Sequence, residues 1–166
     1  MKSIKLLMAL AILTVSFNLT AQSNSALSPV LSSYMALKDA LVKSDGSTAS
    51  SLASQLVTTL DAVKMEDLSG DAHVAWMKYA KDLKADAEQI SQANDIANQR
   101  NRFISLSTNM HEVVKVASTG TTVYYQFCPM ANKGKGAHWL SLEDKVKNPY
   151  YGNQMLTCGK VVEKIK

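Results

Sequence analysis

The sequence predicts a mainly helical fold: an antiparallel four-helix bundle carrying a small irregular and β-containing C-terminal tail. Three observations lead there. Gly and Pro are scarce, at 7 and 3 of 166 residues, while Ala, Leu, Ser, Lys and Asp are abundant, which favours helices. Apolar residues recur at spacings of three and four over most of the chain up to Gly120. Beyond Gly120 the composition turns β-branched, aromatic and turn-rich.

The helices follow in order. Ser28-Pro29 reads as an N-cap followed by proline at the first helical position, and Val30, Tyr34, Leu37 and Leu41 then share one face. Asp45-Gly46 is the expected stop. A second helix is expected from Ser47 to Lys64, with Ala49, Leu52, Leu56, Leu60 and Val63 as its stripe. Ser69-Gly70-Asp71 opens a third, striped by Ala72, Trp76, Tyr79, Leu83, Ala87 and Ile90. Asp95 caps a fourth, carrying Ile96, Phe103, Leu106, Met110, Val113 and Val114 and ending at Gly120. Trp76, Tyr79 and Phe103 at this spacing read as core rather than as a cofactor box. Short links favour an up-and-down arrangement. His73 and His111 have no ligand-type residue four positions away and read as surface or half-buried histidines; Gln99, Arg100 and Arg102 read as solvent-facing or as capping the bundle end.

The tail, about 121–166, differs. Thr121 to Phe127 has strand composition, and Lys160 to Ile165 reads as a short strand pairing with 122–127. Between them Cys128 to Gly159, with Gly134, Gly136, Pro149 and Gly152, reads as irregular structure folded back on the helices, and Lys133 and Lys135 as a solvated turn.

At the N-terminus, Lys2 and Lys5 precede an uncharged apolar run, Leu6 to Val15, and Thr20-Ala21 supplies small residues for cleavage. Residues 1–21 thus read as a secretory signal peptide, with the mature chain a single domain over 22–166. The run is shorter than the roughly 20 residues of a bilayer span, so no membrane insertion is expected after cleavage. Loss of Lys2 and Lys5 takes the formal charge from +4 to +2, too little to point to nucleic acid or an anionic membrane. No phosphate-binding Gly loop, nucleophile elbow, HExxH helix or Cys-x-x-Cys pair is present, and no enzymatic activity is expected.

The chemistry concentrates in the tail. The chain's two cysteines each have a methionine nearby: Cys128-Pro129-Met130, and Met155-Leu156-Thr157-Cys158. Residues two apart in an extended segment share a face, as do residues three apart in a helical turn. Cys128 with Met130 and Met155 with Cys158 can therefore converge. Thiolate with thioether is a soft donor set that selects Cu(I) over Zn(II), Mg(II) or Ca(II), and His138 is a candidate fifth ligand, with Trp139 over the metal. A second reading stands beside this one. Two cysteines in an exported protein also suit one disulfide, stapling an interaction module that presents Trp139, Tyr150 and Tyr151.

The segments Tyr124-Tyr125-Gln126-Phe127-Cys128-Pro129-Met130-Ala131, Gly136-Ala137-His138-Trp139-Leu140-Ser141, Asn148-Pro149-Tyr150-Tyr151-Gly152 and Met155-Leu156-Thr157-Cys158-Gly159 carry a resemblance. They resemble a family of uncharacterised bacterial periplasmic domains that occur alone or fused to the C-terminus of adaptor subunits of heavy-metal (copper and silver) efflux pumps. The helical part agrees more loosely, through Pro29-Val30-Leu31, Tyr34, Leu37-Lys38, Ala40-Leu41, Gln99-Arg100, Phe103 and Leu106-Ser107. The resemblance implies a helical domain linked to copper or silver handling. It carries Cys128, Met130, Met155 and Cys158 over as ligands, with His138 beside them. It also implies an efflux adaptor or copper chaperone as partner. The chain leaves no room for the hairpin, lipoyl or barrel portions of such adaptors, so the expectation is an accessory protein that binds Cu(I) or Ag(I) in the periplasm.

Overall fold

The computed structural model describes residues 25–68, 70–117 and 119–166; the expected signal segment, 1–21, lies outside them. The described chain is mainly helical, with a three-stranded antiparallel sheet at its C-terminal end. Four helices, α1 (Ser28–Val42), α2 (Gly46–Asp61), α3 (Gly70–Gln92) and α4 (Ile96–Val114), precede strands β1 (Val123–Cys128), β2 (Ala137–Ser141) and β3 (Lys160–Ile165).

Each helix boundary has a local cause. A 3₁₀ turn at Ser25–Leu27 leads into α1, so Ser28 is its first helical residue and not its cap. Ser44, at φ 59°, ends α1 in a left-handed residue. Its amide donates to the Leu41 carbonyl at 3.1 Å and the Asp45 amide to the Ala40 carbonyl at 3.0 Å. The stop is thus at Ser44, ahead of Asp45-Gly46. Asp45 instead caps α2, accepting from the Thr48 amide at 2.9 Å and the Thr48 hydroxyl at 2.7 Å. α2 ends at Asp61, short of Lys64, and a 3₁₀ turn at Met65–Asp67 follows. Asp95 caps α4 as expected, taking the Asn98 amide at 2.9 Å; that helix stops at Val114, well before Gly120.

Consecutive helices pack in sequence, α1 on α2, α2 on α3 and α3 on α4. Leu37, Leu41, Leu56, Leu83, Ile90, Phe103 and Leu106 are fully enclosed, and Trp76 is nearly so; Tyr79 is only half-buried. α1 meets α4 through Tyr34 and Phe103, whose rings stack at 5.2 Å. Among the described residues no helix is long and apolar enough to cross a membrane.

β1 is the central strand, antiparallel to β2 on one side and β3 on the other. The pairing of β3 with β1 matches the sequence expectation, with a bulge between Tyr125 and Gln126. β2 corrects it, since Cys128 to Gly159 reads as wholly irregular from composition, yet Ala137–Ser141 pairs with β1 in register Phe127↔His138 and Cys128↔Ala137. The turn between them winds through Asn132, Lys133 and Gly134, all at positive φ.

The two faces of the sheet have different neighbours. Tyr125 faces α4, stacking on His111 at 3.8 Å. The opposite face, with Gln126, Cys128 and Trp139, lies under the 142–159 segment, where the Gln126 amide nitrogen donates to the Glu143 and Asp144 carbonyls at 3.0 and 3.2 Å. The free edge of β2 is closed by side chains. Leu140 donates its amide to the Tyr34 hydroxyl at 3.1 Å, and the Tyr150 hydroxyl donates to the His138 carbonyl. Backbone groups that an open edge would leave for another chain are thereby occupied.

Candidate functional site at the cysteine pair

Cys128 ends β1 and is completely enclosed. Cys158 sits on the loop entering β3 and is half-buried. Their sulfurs lie 2.7 Å apart although 30 residues separate them in the chain. The neighbouring Cys128 thiol and partial burial push the Cys158 thiol above its usual range, with the Met130 amide pulling the other way.

Asn148 holds this loop, a residue that the sequence reading quoted only as part of a turn. It is fully buried; its side-chain nitrogen donates to the Cys158 carbonyl at 2.9 Å and its own amide to the Leu156 carbonyl at 2.8 Å. Its side-chain oxygen accepts from the Tyr150 and Tyr151 amides at 2.8 and 3.3 Å, the self-bonded turn that Asn-Pro favours. The Asn-Pro dipeptide was the available signal. Gly159 completes the approach. At φ 140°, a Cβ there would stand 2.8 Å from the Phe127 carbonyl oxygen and 3.0 Å from the Trp139 ring.

Met155 is tied to Cys158 through the main chain, the Cys158 amide donating to the Met155 carbonyl at 3.0 Å. Both methionine side chains are exposed, Met130 at 53% and Met155 at 37%. The Tyr151 hydroxyl donates to the Met130 carbonyl at 2.7 Å and secures that turn.

His138 does not join the sulfurs. Strand alternation places it across from Phe127, on the face opposite Cys128, where its ring stacks with Tyr125 at 4.7 Å and meets Phe127 at a tilt at 4.5 Å. Burial and the nearby His111 lower its pKa. Among the described residues no three of His, Cys, Asp and Glu form a metal-holding group. Trp139 and Tyr150 are also placed differently from the expected display. Trp139 is fully enclosed against Tyr150, edge to face at 5.9 Å, and Tyr150 is buried, so neither is presented to a partner. Tyr151 alone of the three reaches solvent in part.

Two residues expected at the helix ends anchor the tail or the helices. Arg100 donates to the Pro149 carbonyl at 2.8 Å, the Leu41 carbonyl at 3.0 Å and the Ser44 hydroxyl at 2.8 Å. It thereby caps α1 while holding the loop that carries Asn148. Gln99, wholly buried, donates to the Gly46 carbonyl at 2.8 Å and the Ser50 hydroxyl at 2.9 Å. His111, buried on α4, bonds Glu163 of β3 at 2.7 Å; with no ligand-like spacing in the sequence, only the fold reveals that partner.

Residues 30–122, more than half of the chain, match a family described as protein of unknown function (DUF3347). The chain belongs to this family. The matched stretch runs from Val30 through the helices and ends just before β1, so family membership rests on the helical part, whereas the sulfur motifs lie beyond it. No curated protein and no solved structure matches the chain.

Proposed function

We propose that this DUF3347-family protein is an exported accessory protein that binds a soft monovalent metal, Cu(I) or Ag(I), through Cys128 and Cys158. The observation that carries the reading is the meeting of the two thiols at 2.7 Å, with the Cys158 amide bonded to the Met155 carbonyl. Two thiolates joined by methionine thioethers are soft donors, and soft donors favour Cu(I). The ion is the cargo. To seat it between the sulfurs, Cys158 is the side that shifts, because it lies half-exposed on a loop while Cys128 is enclosed in the sheet. Met130 and Met155, exposed beside it, would complete the set or hand the ion on. His138 drops out of the proposed set because it occupies the other face of the sheet.

The setting belongs to the same proposal. Residues 1–21 direct export to the periplasm of a bacterium, the four helices run as an antiparallel bundle, and the partner is a heavy-metal efflux adaptor or a copper chaperone. Binding and transfer, not catalysis, is the proposed role.

The test is competition for Cu(I) against a chromogenic chelator, using the reduced protein. Wild type should withdraw the ion, and a Cys128→Ser, Cys158→Ser double variant should not. Equal withdrawal by both would end the reading. A disulfide-stapled module without metal is the second reading, favoured by the same proximity of sulfurs. Metal-free protein whose thiols are quantitatively oxidised as isolated, and which ignores Cu(I) after reduction, would establish it instead.

A further inference from the structure

We propose that the sulfur pair is a thiol–disulfide exchange couple in which Cys158 is the sulfur that partners attack and Cys128 is its shielded mate. The inference concerns the same two residues as the copper reading but stands independently of it, on access rather than on metal chemistry. Cys128 is 0% exposed, closed in by β2 and the overlying loop. Cys158 instead lines an open cleft of about 340 Å³ with Phe127, Pro129, Gly159 and Lys160. Phe127 and Pro129 give the cleft apolar walls, and Lys160 borders it with a cation. A positive charge beside an exchanging sulfur favours an incoming anionic species. The ligand class is therefore a small disulfide or thiol bearing carboxylates.

The exchange balances as follows. The Cys158 thiolate attacks one sulfur of a small disulfide, forming a mixed disulfide on Cys158 and releasing one thiolate. Cys128 then attacks the Cys158 sulfur across the 2.7 Å gap and passes its proton to the departing sulfur, so that the internal disulfide forms and the second group leaves as a thiol. Two cysteine thiols are oxidised, one external disulfide is reduced to two thiols, and two electrons pass. In reverse, an external thiolate attacks at Cys158, because Cys128 is out of reach. In both directions the mixed species sits on Cys158. The oxidised pair offers no thiolate to a metal, so exchange through the cleft would also switch any soft-metal site off.

The experiment uses the full chain, reduced and stripped of metal with a chelator, and oxidised glutathione as the probe. Samples are quenched in acid and mapped by peptide mass. Wild type should show a transient glutathione adduct on Cys158, then the internal disulfide. The adduct should accumulate in Cys128→Ser, while Cys128 in Cys158→Ser should react at least about ten-fold more slowly. Adducts on Cys128 in wild type, or equal rates in the two variants, would overturn the proposal. So would a folded wild type that forms neither adduct nor internal disulfide. The wild-type map needs no variant to fold. Lys160→Glu should slow the reaction with glutathione about three-fold more than that with neutral hydroxyethyl disulfide. An unchanged ratio would remove the cleft as the route. A protein that exchanges as stated but fails to compete for Cu(I) loses the copper reading alone. One that binds Cu(I) through both thiols yet takes adducts on Cys128 loses the exchange alone.

Discussion

The amide of Leu140 donates to the hydroxyl of Tyr34 at 3.1 Å, across 106 residues of chain. That hydroxyl also pairs with the Ser107 hydroxyl at 2.7 Å, so one phenol joins α1, α4 and the outer edge of β2. Its enclosure raises the phenol pKa well above the usual tyrosine range, and it remains a protonated donor and acceptor at any physiological pH. Removing the oxygen alone, in Tyr34→Phe, strands the Leu140 amide and the Ser107 hydroxyl in the interior. The expected loss is about 1–3 kcal/mol, read by urea denaturation. A loss below about 0.5 kcal/mol would mean that water replaces the phenol there.

Gly159 marks the close approach that lets the cysteines meet. Ala at this position meets the Phe127 carbonyl oxygen and the Trp139 ring, at a φ of 140°. The expected cost is about 2–4 kcal/mol, with slower formation of the Cys128–Cys158 disulfide. Gly134→Ala is the control. Its φ is also positive, at 81°, but nothing lies within 4 Å of the added carbon. About 1 kcal/mol of backbone strain is expected there, with disulfide formation unchanged.

Oxidation should stabilise the fold. A Cys128–Cys158 bridge closes a loop of 30 residues, and loop-closure entropy gives roughly 3–4 kcal/mol for that length. Unfolding free energies from guanidinium titrations with and without reductant should differ by that amount in wild type and by nothing in the Cys128→Ser, Cys158→Ser double variant.

His138 should make stability fall on acidification. Burial and the charge of His111 hold its folded-state pKa below the ordinary histidine value. The unfolded chain therefore takes up the proton first, and the folded state loses ground as pH drops from about 6.5 toward the depressed value. Above that window the residue is neutral in both states and contributes no pH dependence. Denaturation curves from pH 7.5 to 5 should show a shallower decline in His138→Gln than in wild type. An identical slope would place the proton uptake elsewhere.

Much of the architecture was legible because its causes are local. Asp95 caps α4 through an amide three residues on, and the stripes of α1 and α3 follow the helical repeat. β3 could be read from Val161 and Val162, and its pairing with β1 followed from two strand-like segments flanking one tail. β2 was hidden, because Ala137-His138-Trp139-Leu140-Ser141 holds no β-branched residue and becomes a strand by pairing with β1. Missing that strand is what let His138 pass for a ligand. In an irregular loop its side chain is free to turn toward Cys128, whereas in a strand paired Phe127↔His138 it is fixed on the other face. The metal ligand set and the setting of the protein rest on the proposals above.

By itself, then, the sequence determined the four helices, the Asp95 cap, most of the core stripes and the outer β3 strand. These follow from propensity and periodicity, which act over one or two turns of chain. Only the tertiary structure decided that Trp139 and Tyr150 are interior, that Tyr34 closes the β2 edge, and that Cys158 is reachable while Cys128 is not. Exposure and sidedness depend on which distant segments cover a residue, and contacts between Cys128 and Cys158, or between Tyr34 and Leu140, exist only once the chain has folded.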